Sequence, residues 1–272
     1  MLAILFDETK CVGCNECAKA CVNDNHLPRE IPAPTSMGDG LSGRRWMSII
    51  KVPGTRGYVK RQCLHCLHPA CEAACLVGAM KKTENGPVVY DASKCIGCRY
   101  CMLACPVGIP RYQWEKALPY IQKCDMCYDR LDQGKQCACV EACKYGALQL
   151  GLREEMLEKA HALIRSNPGK YLDHIYGEKE LGGVCVLYIT NAPLEKVLKF
   201  DEVVKALAIP DLTWPVISKT PVVALAALSS LVGVWWITER RMKIEKEQEE
   251  ARLSSVRAME KKDAGEEGKS DE

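Results

Sequence analysis

Cysteine thiols are the groups with which this 272-residue chain could do chemistry, because 16 of its 18 cysteines fall into four short blocks. Every block ends with two cysteines separated by three residues. The blocks are Cys11, Cys14, Cys17, Cys21; Cys63, Cys66, Cys71, Cys75; Cys95, Cys98, Cys101, Cys105; and Cys124, Cys127, Cys139, Cys143. Thiolates bind zinc and iron–sulfur clusters, so this repetition predicts a protein organised around metal.

The spacing of blocks one and three, C-x2-C-x2-C-x3-C, favours iron–sulfur clusters over zinc. In this pattern three cysteines bind three irons of one 4Fe–4S cube, and the fourth cysteine binds a second cube. Because the fourth iron of each cube needs a thiolate from a distant segment, two blocks must fold together. Four blocks therefore predict four 4Fe–4S clusters.

Three other uses of these residues fit the sequence less well. A zinc ribbon brings two widely separated C-x2-C pairs, and a disulfide scaffold is typical of short secreted chains. A nucleic-acid surface is not expected, although residues 1–150 carry 19 Lys and Arg against 14 Asp and Glu. These basic residues are scattered rather than interleaved with aromatic ones, so their excess is better explained as compensation for negatively charged buried clusters.

The four blocks lie within residues 1–150, for which the sequence predicts an α+β domain. Short strands are expected at residues 2–6, 44–51, 79–82, 88–90 and 147–150. Asn85-Gly86 marks a hairpin turn between the third and fourth of these strands. Pro and Gly residues predict an inserted loop over about residues 23–45. The repeated order of cluster loop, short helix and strand indicates two fused two-cluster ferredoxin-like modules.

Residues 151–213 are expected to form an accessory segment that packs on this domain. Apolar residues at helical spacing predict an amphipathic helix over residues 153–165. A continuous apolar run predicts a buried strand over residues 184–190, and a short helix is expected over residues 201–209.

A transmembrane helix is predicted over residues 214–238. Residues 221–238 contain no charged side chain. At about 1.5 Å per residue the whole segment can cross a hydrocarbon core about 30 Å thick. Trp214 near one end and Trp235 and Trp236 near the other suit the two interfaces of a bilayer. No other segment is long and apolar enough to pair with it, so a single pass through the cell membrane is expected.

Flanking charges predict the orientation of this helix. Lys219 is the one basic residue on its near side, whereas four follow it, namely Arg240, Arg241, Lys243 and Lys246. The positive-inside rule then places the C-terminus in the cytoplasm and the cysteine domain in the periplasm. The alternative is a domain on the cytoplasmic side. Residues 239–272 carry dense charge of both signs and are expected to form a solvated helix that ends in a partly disordered tail.

The N-terminal sequence does not by itself explain a periplasmic location. No signal-like segment precedes the first strand. Because clusters are assembled inside the cell, the domain would cross the membrane folded. Either a partner subunit carries it across, or a signal is missing from this sequence.

The segments around the cysteines resemble four-cluster ferredoxin-like subunits of membrane-bound oxidoreductases. The resemblance lies in residues 62–66 (QCLHC), 97–102 (GCRYCM) and 123–127 (KCDMC). Residues 174–183 (HIYGEKELGG) resemble the segment before the membrane anchor in the corresponding subunit of nickel–iron hydrogenase. Formate dehydrogenase beta subunits and electron-transfer subunits of molybdopterin reductases belong to the same family. The resemblance covers about residues 1–240 and implies that the cysteines bind clusters in a particular pairing.

The resemblance implies four ligand sets, each with three cysteines of one block and one of another. Site I would be Cys11, Cys14, Cys17 and Cys143; site II would be Cys124, Cys127, Cys139 and Cys21; site III would be Cys63, Cys66, Cys71 and Cys105; site IV would be Cys95, Cys98, Cys101 and Cys75. The chain departs from the family at Cys137, where proline is usual, so Cys137 is an alternative ligand to Cys139. A proline that often follows a block's last cysteine is present as Pro106 but replaced by Leu76 and Lys144.

Three further residues near these blocks have expected roles. His65 and His68 lie between ligands of block two, and each is expected to donate a hydrogen bond to sulfur or backbone. Contact with haem or quinone is the alternative. Cys185, in an apolar run, is expected to be a small buried side chain.

No catalytic triad, phosphate loop or dinucleotide motif is found in the sequence, so a non-catalytic electron-transfer subunit is expected. Electrons would pass between a catalytic subunit and an integral membrane subunit that reacts with quinone. The preferred catalytic partner is the small subunit of a nickel–iron hydrogenase; the molybdopterin-containing alpha subunit of a formate dehydrogenase is the other. Two alternative functions are a membrane-anchored redox-sensing or scaffold protein and a metal-storage or zinc-structural protein.

Overall fold

The apolar N-terminal segment forms the central strand of a three-stranded sheet in the computed structural model, which describes residues 1–28, 40–198 and 208–267. The strands are β1 (Leu2–Asp7), β2 (Ser48–Lys51), β3 (Tyr58–Arg61), β4 (Met80–Lys82), β5 (Val88–Tyr90), β6 (Arg111–Tyr112), β7 (Ile121–Gln122), β8 (Leu148–Leu152) and β9 (Val186–Ile189). The helices are α1 (Glu16–Asp24), α2 (Ala70–Ala73), α3 (Tyr100–Ala104), α4 (Tyr128–Asp132), α5 (Ala138–Glu141), α6 (Arg153–Ser166), α7 (Glu195–Leu198), α8 (Ile209–Ile217) and α9 (Thr220–Glu267). Short 3-10 helices span Glu8–Lys10 and Glu180–Gly182.

Strand β1 is buried on both of its faces. It pairs antiparallel with β8 and parallel with β9. Because side chains alternate along a strand, Ile4 and Phe6 pack into the cysteine-rich core while Leu5 faces the other way. Burial on both sides explains why this strand is almost wholly apolar.

The remaining strands form three antiparallel hairpins, β2–β3, β4–β5 and β6–β7. The hairpin predicted around Asn85-Gly86 is confirmed as β4 and β5. Gly86 has a φ of +119°, and the Leu2 amide donates to the Asn85 carbonyl at 2.8 Å, which joins this turn to β1. Strand β2 is shorter than predicted because Ser42 and Arg45 exchange backbone hydrogen bonds in a tight turn before it.

The loops of blocks one and three have the same backbone conformation. Gly13 and Gly97 occupy equivalent positions with φ values of +72° and +73°. Asn15 and Arg99 follow with φ values of +62° and +63°, and helices α1 and α3 begin at the next residue. One left-handed residue thus lies in each interval between the first three cysteines of a block, and the resulting turns bring their thiols toward one centre.

The last cysteines of blocks two, three and four are followed by another repeated turn. Gly78, Gly108 and Gly146 each lie three residues beyond such a cysteine, and all have φ between +61° and +64°. In blocks two and three the next amide donates to the cysteine sulfur, as described below. The three segments therefore share one backbone turn.

Helix α6 and strand β9, which follow the cysteine blocks, pack against β1. The helix predicted over residues 153–165 is confirmed as α6, whose Met156 and Ala160 pack against Leu5 and Leu187. The strand predicted over residues 184–190 is confirmed as β9. The short helix predicted over residues 201–209 lies mostly outside the described residues, as does much of the loop predicted over 23–45, although α1 continues to Asp24.

Residues 214–272 form a unit separate from residues 1–213. Within the described chain, one helical stretch, Ile209–Arg257, is long and apolar enough to cross a membrane, judged by length and composition. Helix α9 continues through the charged segment to Glu267. The disordered end predicted for this tail concerns residues outside the described part of the chain.

Candidate iron–sulfur sites

The four cysteines of site I lie near one another at the N-terminal end of the domain. Burial raises the pKa of Cys11 to about 11, and the negative charges of Cys143 and Cys14 add to the increase. Burial likewise raises the pKa of Cys17 to about 12, with contributions from Cys11 and Cys14. Cys14 itself is exposed, so one side of this site faces solvent.

The four cysteines of site II are all buried. Burial raises the pKa of Cys21, and the charges of Cys139 and Cys127 raise it further. Burial also raises the pKa of Cys124, and the charge of Cys21 raises it further. Block four and the last cysteine of block one therefore face each other, which is the crossed arrangement of thiols that two-cluster motifs need.

Sites III and IV show the same crossing between blocks two and three. Burial raises the pKa of Cys66, and so do the charges of Cys63, Cys105 and Cys71. In site IV, burial raises the pKa of Cys101 to about 11, with contributions from Cys95, Cys75 and Cys98.

Electrostatic contacts between sites put the four sets in a linear order. Cys17 of site I interacts with Cys139 of site II. Cys124 of site II interacts with Cys63 of site III. Burial raises the pKa of Cys71 of site III to about 12, and the charge of Cys101 of site IV contributes to this increase. The order is thus I, II, III, IV.

Backbone amides donate to several of these sulfurs. The Ala79 amide lies 3.1 Å from Cys75 Sγ, and the Ile109 amide lies 3.4 Å from Cys105 Sγ. The Met126 amide donates to Cys124 Sγ at 3.3 Å. Hydrogen bonds of this kind stabilise a thiolate, and they tune the potential of a cluster bound to it.

The chemistry of these donors fits 4Fe–4S clusters. Buried thiols with raised pKa values become thiolate ligands only where bound iron supplies compensating positive charge. Among the described residues, no three His, Cys, Asp or Glu side chains stand at the spacing of one metal ion's ligands. A cube binds its thiolates on four different irons, so they stand farther apart than the ligands of a single ion.

His65 provides a second indication that a cluster belongs at site III. Its Nδ1 accepts a hydrogen bond from the Val88 amide at 2.8 Å, so a neutral ring carries its proton on Nε2. Burial lowers the pKa of His65 well below its usual range, and the nearby cations Lys123, Lys82 and Lys60 contribute, so the ring is neutral. Nε2 is buried without a partner among the described protein atoms. An N–H donor between Cys63 and Cys66 that finds no protein acceptor suits a sulfur of a bound cluster.

The two cysteines outside the four sets have other partners. Cys137 is fully buried, and its Sγ donates to the Met126 carbonyl at 3.1 Å. Its thiol also hydrogen-bonds Cys127 of site II, which lowers the pKa of Cys127. Cys185 is also fully buried, as predicted, but Lys82 Nζ lies 3.3 Å from its Sγ, so its surroundings are not wholly apolar. His68 is exposed and faces Asp211 at 3.6 Å.

Lys60 is a residue near these sites that the sequence analysis missed. Its side chain is buried in β3, and its Nζ donates to Cys139 Sγ at 3.0 Å. The sequence shows a lysine beside the apolar Val59 and shortly before block two. Its partner, Cys139 of block four, lies 79 residues away, so no local pattern predicts the contact.

Several known proteins are similar to this chain in sequence. Residues 55–153 match the 4Fe-4S dicluster domain family. A protein of Nitratidesulfovibrio vulgaris is 40% identical over 271 residues, covering 94% of this chain and 72% of its own length. The Hydrogenase-2 operon protein HybA of Escherichia coli O157:H7 is 36% identical over 236 residues, 72% of each chain. The iron-sulfur subunit of nitrate-inducible formate dehydrogenase of Escherichia coli K12 is 34% identical over 202 residues, 70% of this chain and 68% of that one.

The formate dehydrogenase relative is by name an iron-sulfur subunit, and the match to each of the three proteins is longer than the segment that holds the four cysteine blocks. The chain therefore belongs to the family of ferredoxin-like, 4Fe–4S electron-transfer subunits found in oxidoreductase complexes of the hydrogenase and formate dehydrogenase type.

Proposed function

We propose that this chain binds four 4Fe–4S clusters at sites I to IV and carries electrons between a catalytic subunit and a quinone-reactive membrane subunit. The observation that carries the proposal is the linear order of the four thiol sets, each in electrostatic contact with the next. Bound clusters supply one-electron transfer, and closely spaced clusters suit a conducting path.

The burial of the thiols supports a path with two accessible ends. All four cysteines of site II are buried, as are Cys63 and Cys71 of site III. At the two ends, Cys14 of site I is exposed and Cys98 of site IV is half-buried. Site II thus has four buried cysteines and site III two, whereas each outer site has one, so the outer sites are the more accessible to electron donors and acceptors.

The preferred catalytic partner is a nickel–iron hydrogenase, with a formate dehydrogenase as the second candidate. Support comes from residues 174–183, which resemble the hydrogenase-associated branch, and from HybA, whose match covers 72% of both chains. In the structure this segment is part of the domain: Tyr176 is buried, and the Gly177 amide donates to Glu180 Oε2 at 2.7 Å.

We also propose that the helical segment over residues 214–238 crosses the cell membrane once. The exposure of its apolar side chains, Val222 and Leu225 among them, supports burial in lipid. The basic residues after it support a cytoplasmic C-terminus and a periplasmic domain. Proteolysis of sealed right-side-out membrane vesicles tests this orientation: external protease should digest the domain and spare a C-terminal epitope tag. Digestion of the tag with survival of the domain would show the opposite orientation.

The ligand sets are tested with a crossed substitution. Cys143→Ser should weaken the cluster of site I as strongly as Cys11→Ser, because the two thiols belong to one set although they lie in different blocks. Cys185→Ser is the matched control, since this buried cysteine belongs to none of the four sets and its Sγ contacts Lys82. Iron and sulfide analysis of the anaerobic full-length protein, with electron paramagnetic resonance (EPR), is the measurement. Loss of the site II cluster with an intact site I in Cys143→Ser would show that the crossed pairing is wrong.

Isolation of the native membrane complex tests the electron path. Adding the substrate of the co-purified catalytic subunit should reduce all clusters within milliseconds, and adding quinone should reoxidise them. Clusters that stay oxidised while the catalytic subunit turns over would instead support the redox-sensing or scaffold alternative. Fewer than about sixteen irons per chain would contradict four cubes.

A further inference from the structure

Lys60 lies beside cysteines of two candidate cluster sites. Its side chain is 1% exposed, and its Nζ donates to Cys139 Sγ of site II at 3.0 Å. The same ammonium interacts electrostatically with Cys17 of site I and Cys124 of site II. It therefore faces thiols from both sites.

The backbone holds Lys60 firmly in this position. The residue pairs with Ile49 in the β2–β3 hairpin. Its carbonyl accepts a hydrogen bond from the buried Tyr188 hydroxyl at 3.0 Å, which links β3 to β9. The neighbouring Arg61 is anchored elsewhere, because its guanidinium donates to the carbonyls of Leu198 and Val107.

The anions that offset the buried charge of Lys60 are cysteine thiolates, the form in which these side chains bind a cluster. Burial of an ammonium group is costly unless anions compensate for it. Burial alone would lower the pKa of Lys60, but the charges of Cys139, Cys17 and Cys124 outweigh this effect and raise it. No carboxylate within ion-pair distance of Lys60 is found among the described residues. The lysine thus complements thiolate ligands rather than an acidic side chain.

We propose that Lys60 is a positioning residue that raises the reduction potentials of the clusters at sites II and I, with the larger effect at site II. This inference rests on the proposed function, because it requires clusters at these sites. Reduction adds one electron and hence one negative charge to a cluster, and a nearby fixed positive charge stabilises that state. The hydrogen bond to Cys139 draws electron density from its sulfur and acts in the same direction.

Removal of the charge tests the proposal. Lys60→Met keeps an unbranched side chain but removes both the charge and the donor. EPR-monitored redox titration of the full-length, cluster-containing protein should show a roughly tenfold fall in the equilibrium constant for reduction at site II, which is about 59 mV for one electron. Site I should shift less than site II, site III should shift less still because the Lys60 charge also reaches His65, and site IV should not shift. Signals are assigned with serine variants of ligands from each site.

Two variants separate this effect from a general disturbance. Lys60→Arg retains the positive charge, so the reduction potential of the site II cluster should stay close to that of the unsubstituted protein. Lys19→Met removes a lysine that also lies between ligands of block one but is 52% exposed and paired with Glu16 at 2.7 Å. Water screens that charge, so Lys19→Met should leave all four potentials unchanged. Unchanged potentials in Lys60→Met, or an equal shift at all four sites, would overturn the proposal.

A measurement on the unsubstituted protein covers the case in which Lys60→Met does not retain its clusters. In protein labelled with 15N at the lysine side chains, pulsed EPR of the reduced site II cluster should detect a coupled 15N nucleus, and Lys60→Arg should abolish this coupling. Normal clusters without the coupling would refute the role of Lys60 alone. Absence of reducible clusters from the unsubstituted protein would instead refute the proposed function.

Discussion

Two histidines three residues apart show how position decides the role of a side chain. His65 has a φ of +51° and is fully buried, with its ring fixed by the Val88 amide. His68 lies beyond the turn, exposed and opposite Asp211. The sequence predicts the same role for both. The structure supports a donor role toward sulfur for His65, whereas His68 faces a carboxylate at the surface.

Substitution of His65 should affect site III specifically. His65→Leu removes the Nε2–H donor and leaves the buried Val88 amide without its acceptor, a loss of about 1–3 kcal/mol in stability. The reduction potential of the site III cluster should fall, because a hydrogen bond to sulfur stabilises the reduced cluster. Redox titration followed by EPR measures the potential, and denaturant-induced cluster loss measures the stability.

His68→Leu is the matched control for this prediction. It removes an exposed imidazole from the same loop and should change neither the potential nor the rate of cluster loss. Equal effects of the two substitutions would mean that the loop as a whole, rather than the His65 donor, sets the properties of site III.

Among the elements, those encoded by nearby residues were predictable from sequence. The β4–β5 hairpin follows from its Asn-Gly turn, and α6 follows from apolar residues at helical spacing. The parallel pairing of β1 with β9 was not predictable, because it joins segments about 180 residues apart. Strand β3 was missed for a related reason: its buried Lys60 and Arg61 find their partners near residues 139 and 198. Spacing could define the cysteine blocks, but not the buried cations that surround them.

Substitution of Gly13 tests whether cluster binding at site I depends on the left-handed backbone of its loop. Gly13→Ala should impair binding at site I, because a Cβ there would lie 2.8 Å from the Tyr58 ring in addition to the strain of a φ of +72°. Gly54→Ala is the control, since its φ is +77° but nothing lies within 4 Å of the added Cβ. The strain of positive φ costs about 1–2 kcal/mol at either position.

Iron content and the site I EPR signal distinguish the two glycine variants. Gly54→Ala should keep its clusters, whereas Gly13→Ala should lose iron from site I first. If both variants keep site I equally well, the Tyr58 ring moves aside at little cost, and the close approach does not constrain the loop.

At the scale of the whole molecule, the chain has two parts that are expected to lie in different environments, one in water and one in lipid. Residues 1–213 have an extensive buried core, whereas the apolar side chains of residues 214–238 are exposed. The first part is expected to be stabilised by its clusters and the second by lipid. Attachment to the membrane should therefore be separable from cluster binding.

Two lysines placed in the apolar helix test this separation. Leu228→Lys with Leu231→Lys puts two charges near the centre of the proposed span, at a cost of about 2.5–3.5 kcal/mol each on the insertion scale. Most of the protein should then move from the membrane to the soluble fraction after alkaline extraction, with its iron content unchanged. Leu253→Lys, on the same helix beyond the span, should leave the protein in the membrane fraction. If the double variant stays membrane-bound through its own helix, in the absence of partner subunits, the segment over residues 214–238 is not the anchor.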